Sequence, residues 1–150
     1  MEEEREEGKT PKRRLKVLVP IEESEISELV IKRSGQFAKA TGCEITVLTV
    51  VEDIVHYPEF PHTELYQKRQ EKADELLKRV KKVFDQYGIE CQTRLAIGPI
   101  EEEIVRIAEE GGFDVIFLGS RGKGGLKRML LGSVADTVIR HAHCSVAVIR

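Results

Sequence analysis

The chain has 150 residues, with 24 basic against 26 acidic side chains and a formal net charge of -2. A single domain of this size buries a core without disulfides or metal, and its near-balanced charge offers no global basic field to recruit nucleic acid, which favours small-molecule partners. Three cysteines without C-x-x-C spacing (Cys43, Cys91, Cys144) argue against a disulfide framework or zinc ribbon, and with no membrane-length apolar run and no signal-peptide core they point to a reducing cytoplasm.

Residues 1–14 are almost entirely charged, from Glu2-Glu3-Glu4 to Lys12-Arg13-Arg14, and read as a disordered tail; residues 15–150 read as the folded domain. Val17, Leu18 and Val19, ended by Pro20, form the first strand, apolar on both faces. Ile26, Leu29, Val30, Phe37 and Ala38 recur at helical spacing, with Ser24 or Ser27 as N-cap and Gly42 just past the end. Ile45 to Val51 is a second buried strand, followed by a linker whose Tyr57-Pro58-Glu59-Phe60-Pro61 cannot be helical at its prolines.

A long amphipathic helix is predicted from about Thr63 to Gly88, carrying Leu65, Ala73, Leu76, Leu77, Val80, Val83, Phe84 and Tyr87 on one stripe. Ile89 to Ile97 alternates apolar and polar residues, as a strand toward one edge of a sheet does. Gly98-Pro99 starts another helix, with Glu101 to Glu103 at the positive end of its dipole and Ile104, Ile107 and Ala108 on its buried face. The strand Val115 to Leu118, a glycine loop, a helix from Ser133 to about His141 and a strand Val146 to Ile149 complete the chain. Alternating strands and helices imply an α/β fold: an open five-stranded parallel sheet with helices on both faces, Rossmann-like. In a 3-2-1-4-5 order, the ends of strands one and four would meet at the switch point, where ligands lie in such sheets.

Directly after strand four, Gly119-Ser120-Arg121-Gly122 is followed by nine residues and then Gly132-Ser133. A strand, a glycine-hinged loop and a fresh helix N-terminus together hold a phosphate. Glycine allows positive φ and close backbone approach, and the first turn, beginning Ser133-Val134, offers unpaired N–H groups. The loop is not a Walker A sequence, because Gly125 stands where the lysine is needed. Nor is it the dinucleotide fingerprint, because Gly122-Lys123-Gly124 leads to Lys127 instead of a third glycine. Arg121, Lys123, Lys127 and Arg128 crowd the loop and form either a solvated basic face or, at Arg121 and Lys123 first, a phosphate clamp. Ser133 also suits the N-cap of the last helix, with Asp136 in capping-box position.

The pattern G-x2-G-x9-G-[S/T] resembles the nucleotide-phosphate motif of the universal stress protein family, and the likeness extends through nearly the whole chain. The resemblance implies binding of ATP, or of AMP or ADP, with Mg2+ or Mn2+ as a companion ion, a regulatory stress-response role, and a homodimer through the last strand. It also places a nucleotide site on Pro20, Glu22, Val50, Gly119, Gly122, Gly132 and Ser133, with the Val50 backbone meeting the adenine. Glu22 departs from the Asp usual in the family's nucleotide binders and moves the carboxylate by roughly 1.5 Å, the length of one C–C bond. Glu23 replaces the usual neighbouring glycine. Two other functions stay open: a slow ATP hydrolase in which a divalent ion bridges the phosphates, and a dimeric interaction module that has lost nucleotide binding, which Glu22-Glu23 favours.

His141-Ala142-His143-Cys144 contains zinc-ligand residue types but has no partner cluster at metal-like spacing, so it reads as a helix end and no metal site is assigned. His56 and His62 read as surface residues. No catalytic residue is assigned, since G-x-S-x-G and H-E-x-x-H are both missing from the sequence.

Overall fold

Val17, Leu18 and Val19 are completely buried, and their alternation organises the molecule. In the computed structural model, which describes residues 13–52, 62–122 and 131–150, they form the centre of β1 (Lys16–Pro20). β2 (Glu44–Val51), β3 (Cys91–Ile97), β4 (Val115–Gly119) and β5 (Ser145–Ile149) complete a sheet in the order β3-β2-β1-β4-β5. Every pairing is parallel, with Val17 beside Ile45 on one side and beside Val115 on the other. The expected architecture is therefore observed, with β3 and β5 at the edges.

Successive strand residues face opposite ways, so the sheet supports two cores. Val17, Val19, Ile45, Val47 and Phe117 point to one face, covered by α1 (Glu25–Thr41) and α2 (His62–Gln86). Leu18, Leu48, Ile116 and Leu118 point to the other, covered by α3 (Ile100–Glu110) and α4 (Ser133–His141). α1 lies over β4 and β5, and α2 over β2 and β3. Ser34, fully buried in α1, donates its hydroxyl to the carbonyls of Val30 and Ile31 at 2.8 and 3.0 Å, which satisfies a polar group that burial would otherwise penalise.

α1 has the ends expected from the sequence, starting after Ser24, whose Oγ lies 3.1 Å from the Ser27 hydroxyl without a side-chain cap, and stopping at Gly42 in the left-handed conformation, φ 70°. Other boundaries differ from the sequence reading for local reasons. Ile89 precedes β3 because its amide closes the end of α2 on the Phe84 carbonyl at 2.9 Å. Pro99 is the N-cap of α3, one residue earlier than a first-turn position. Leu65 and Tyr87 belong to the predicted apolar stripe, yet they are 48% and 53% exposed. The 25 residues of α2 span about 37 Å against about 23 Å for the seven of β3, so the helix is longer than the strand it covers. Tyr87 instead receives the Lys39 ammonium 5.7 Å from its ring centre.

Arg13 and Arg14, which the sequence reading places in the tail, reach the folded body. Arg13 Nη2 donates to Asp114 Oδ1 at 2.6 Å, and Arg14 Nε donates to the Gly42 carbonyl at 2.8 Å. The Lys16 amide and the Arg13 guanidinium hold the Asp114 carboxyl below the usual carboxylate range. Its contribution to stability is therefore present above the ordinary carboxylate value and disappears as pH falls through the lowered one. The proline-rich linker and residues 1–12 lie outside the described residues.

Candidate functional site

β1 and β4 are neighbours from which the chain leaves in opposite directions, β2 and β3 lying to one side and β5 to the other. Their carboxyl ends open onto a cleft of ≈ 540 Å³, within the size range of small-molecule sites. Pro20 and Glu22 come to it from the end of β1, Val50 from β2, and Gly119, Arg121 and Gly122 from the turn after β4. Gly132, Ser133 and Val134 enter from the start of α4. Nine of the ten residues predicted from the sequence thus line one cavity. The tenth, Lys123, lies outside the described residues, as do Lys127 and Arg128.

The loop closes through the backbone. The Ser120 amide donates to the Ile149 carbonyl at 2.7 Å, and the Gly132 amide donates to the Ser120 carbonyl at 2.5 Å. This brings Gly132 back against the turn, where a Cβ on it would lie 3.1 Å from Arg121 Cα and 3.2 Å from the Ser120 oxygen. Gly132, not Ser133, is the N-cap of α4, with extended φ -75° and ψ 165°. The first helical bond runs from the Asp136 amide to the Gly132 carbonyl at 3.0 Å, so the amides of Ser133, Val134 and Ala135 precede the intrahelical ladder. These three residues line the cleft, so the positive end of the α4 dipole lies at its wall.

Positive φ is not the reason for the motif glycines. Among the described residues it occurs at Gly42, Gly88, Gly98 and Gly112 only, and not at Gly119, Gly122 or Gly132. Space is the reason instead. A Cβ on Gly119 would approach Ile26 Cγ2 to 3.0 Å, and one on Gly122 would collide with the Glu22 carboxylate.

The walls differ in character. Val50, Leu48, Leu118, Ile100 and Ile104 make an apolar side suited to a flat ring, while Glu22, Glu52 and Arg121 supply charge. The Ile21 amide donates to the Leu48 carbonyl at 2.9 Å, and the Glu22 amide donates to Ser27 Oγ at 3.3 Å, which together fix the backbone leading to the Glu22 side chain. Glu23 turns outward instead and pairs with Arg79 of α2, an exposed ion pair of small energetic weight. The substitution of a family glycine by Glu23 therefore adds no carboxylate to the cleft.

Ile26, Ser27, Glu52, Ile100 and Ile104 also line the cavity and are absent from the sequence-derived site. Ile26, Ile100 and Ile104 look like ordinary members of apolar stripes, and only the way α1 and α3 begin beside the strand ends brings them to the ligand side. Burial pushes the thiols of Cys43, Cys91 and Cys144 up. Among the described residues no three His, Cys, Asp or Glu side chains converge as a metal site, and His143 instead lies 3.5 Å from the Glu109 carboxylate. Among the same residues no helix is long and apolar enough to cross a membrane.

Fold and cleft together define a doubly wound α/β protein with an apolar crevice and a helix N-terminus at its switch point. The sequence profile of the Universal stress protein family matches residues 14–150. Universal stress protein MJ0531 of Methanocaldococcus jannaschii is 36% identical over 138 residues, covering 90% of this chain and 81% of its own. The solved structure of MJ0577 from the same organism superposes with a TM-score of 0.81 at 34% identity, covering 89% of this chain and 94% of that one. A universal stress protein from Archaeoglobus fulgidus in complex with dAMP shares the fold at a TM-score of 0.71 and 22% identity, over 91% and 98% of the two chains. The chain belongs to the universal stress protein family.

Proposed function

We propose that this protein binds an adenine nucleotide, ATP or one of its shorter relatives, and acts as a dimeric regulatory protein of the cytoplasm rather than as an enzyme of high turnover. One observation carries the reading: the Gly119–Gly122 turn and the first turn of α4 converge on a cleft whose other wall is apolar. Amides at a helix N-terminus suit phosphate oxygens, and Val50 with Leu48 and Ile104 suits a base. Pro20, Glu22, Val50, Gly119, Arg121, Gly122, Gly132, Ser133 and Val134 are the proposed binding residues, with Lys123 as a further phosphate contact. A protein that shares this fold forms a complex with dAMP; at 22% identity that likeness speaks for the fold, and the nucleotide assignment stands on this chain's own cleft. Mg2+ or Mn2+ is proposed only as a counter-ion travelling with the phosphates, because the described residues bring no three potential ligands together.

Purified protein is expected to release adenine nucleotide on denaturation, read by chromatography, and to bind added ATP by calorimetry. Phosphate released over hours would turn the reading toward a slow hydrolase. Neither bound nucleotide nor binding would leave an interaction module.

For the dimer, the supporting feature is β5, which pairs with β4 on one side only and has partly exposed Val146 and Val148. An open parallel edge is a template for a second chain. Val148→Lys is expected to convert a dimer to a monomer in light scattering; persistence of the dimer would place the interface elsewhere.

A further inference from the structure

Among the described residues the buried polar side chains are Ser27, Ser34, Thr49 and Ser120. Ser34 is satisfied within its own helix. Ser27 of α1 and Thr49 of β2 converge instead on one peptide group. Thr49 Oγ1 donates to the Ile21 carbonyl at 3.4 Å, and the Glu22 amide donates to Ser27 Oγ at 3.3 Å. A trans peptide unit is planar, with its C=O and N–H on opposite edges, so the two hydroxyls hold the Ile21–Glu22 plane from both sides and restrict the backbone angles next to it. This peptide lies just past the end of β1, at the lip from which Glu22 enters the cleft.

Packing explains neither hydroxyl. Thr49 stands in the run Val47-Leu48-Thr49-Val50-Val51, where valine has nearly the same shape, suits a strand equally well and carries no hydroxyl to desolvate. Ser24 has the extended backbone of an N-cap, yet it makes no side-chain cap bond, and its Oγ lies 3.1 Å from Ser27 Oγ instead. Because Ser27 Oγ already accepts the Glu22 amide, donating its own proton to Ser24 Oγ pairs both sides of a buried hydroxyl. The start of α1 thus forgoes a local stabilising bond while its serines serve the end of β1, the kind of local departure that accompanies a functional site.

We infer that Ser27 and Thr49 are positioning residues for the cleft: they clamp the Ile21–Glu22 peptide so that the Glu22 side chain is presented to the nucleotide in one orientation. The inference rests on the nucleotide reading above and adds to it how the β1 side of the site is preorganised. Neither hydroxyl is assigned a contact with the ligand. Fixing the peptide before the ligand arrives raises affinity, because less freedom is lost on binding.

The test is a set of double-mutant cycles on the full chain. Ser27→Ala and Thr49→Val are each made in the wild type and in Glu22→Ala, melting curves verify that every protein is folded, and AMP and ATP affinities are measured by calorimetry. Each single variant is expected to bind about fivefold more weakly, the net worth of roughly one hydrogen bond. In the Glu22→Ala background the same changes are expected to alter affinity by less than about 1.5-fold, because the side chain they position is gone. Hydrogen exchange at the Glu22 amide, followed by NMR without nucleotide, is expected to become at least about tenfold faster in Ser27→Ala as the bond that protects it is removed. An equal loss of affinity with and without Glu22 overturns the inference, since the hydroxyls would then act on the nucleotide directly or through the fold as a whole. Wild-type affinity in both single variants overturns it as well. Unchanged exchange at Glu22 in Ser27→Ala overturns the clamp whatever the affinities. Failure of the folded wild type to bind either nucleotide overturns the nucleotide reading and the positioning role with it, and the exchange rate distinguishes that result from a missing clamp.

Discussion

Gly122→Val is expected to weaken nucleotide binding by at least about tenfold while leaving the domain folded. Gly122 is exposed and sits outside both apolar cores, so the substitution removes no packing. What it adds is a branched side chain at a point where even one carbon would collide with Glu22. Either the carboxylate is driven further into the cleft or the turn moves away from it, and a displacement of about an ångström is enough to spoil hydrogen bonds to phosphate, which weaken steeply with geometry. The loss of one or two such bonds, at about 1.5–3 kcal/mol each when a charged group is involved, gives the tenfold figure as a lower limit. Calorimetry with AMP and ATP measures it, and circular dichroism confirms the fold. A folded Gly122→Val protein with wild-type affinity would remove the glycine turn from the site.

The same residue marks how far the sequence could be read. Buried parallel strands with helices on both faces follow from apolar runs such as Val17-Leu18-Val19, and, given the 3-2-1-4-5 order, the meeting of Pro20-Ile21-Glu22 with Gly119–Gly122 follows from the rule that places sites at a switch point. The reason for the glycines does not follow. Positive φ is the usual expectation for a turn glycine, but Gly119 and Gly122 answer to Ile26 and Glu22, and those contacts exist only once α1 packs beside the strand ends. The same gap hides Ile100, Ile104 and Ser27. Their spacing is that of any amphipathic helix, and a residue's place at the end of a helix next to a cleft is a property of the packed layers, not of the pattern. Glu23 shows the converse. Its charge looks disruptive in sequence, yet the side chain is exposed, outside the cleft lining, and paired with Arg79 of α2, distant in the chain.

Phe84→Ala is expected to destabilise the domain by about 3–5 kcal/mol, the range found when a buried aromatic is truncated in a core that collapses only partly. Phe84 is fully buried in the cluster that joins α1 and α2 to the sheet. It also closes α2, since its carbonyl accepts the Ile89 and Tyr87 amides at 2.9 and 3.0 Å. Across from it lies Gly35 of α1, where a Cβ would be in ordinary contact, 3.7 Å from Phe84 Cε1 and 3.5 Å from Ile89 Cδ1. Truncation therefore opens a cavity between two helices whose separation is already set by the sheet beneath them, and neither can close it without leaving its strands. For a domain of this length the loss corresponds to a melting temperature lower by about 10 °C, and to a urea midpoint that falls with little change in slope. Phe84 does not line the proposed nucleotide site, which is built mostly from the β4 turn, the start of α4 and the ends of β1 and β2. Below its melting point the variant should then bind nucleotide with wild-type affinity. A variant that is less stable and also loses binding would mean that α1, through Ile26 and Ser27, transmits the position of the helical layer to the cleft.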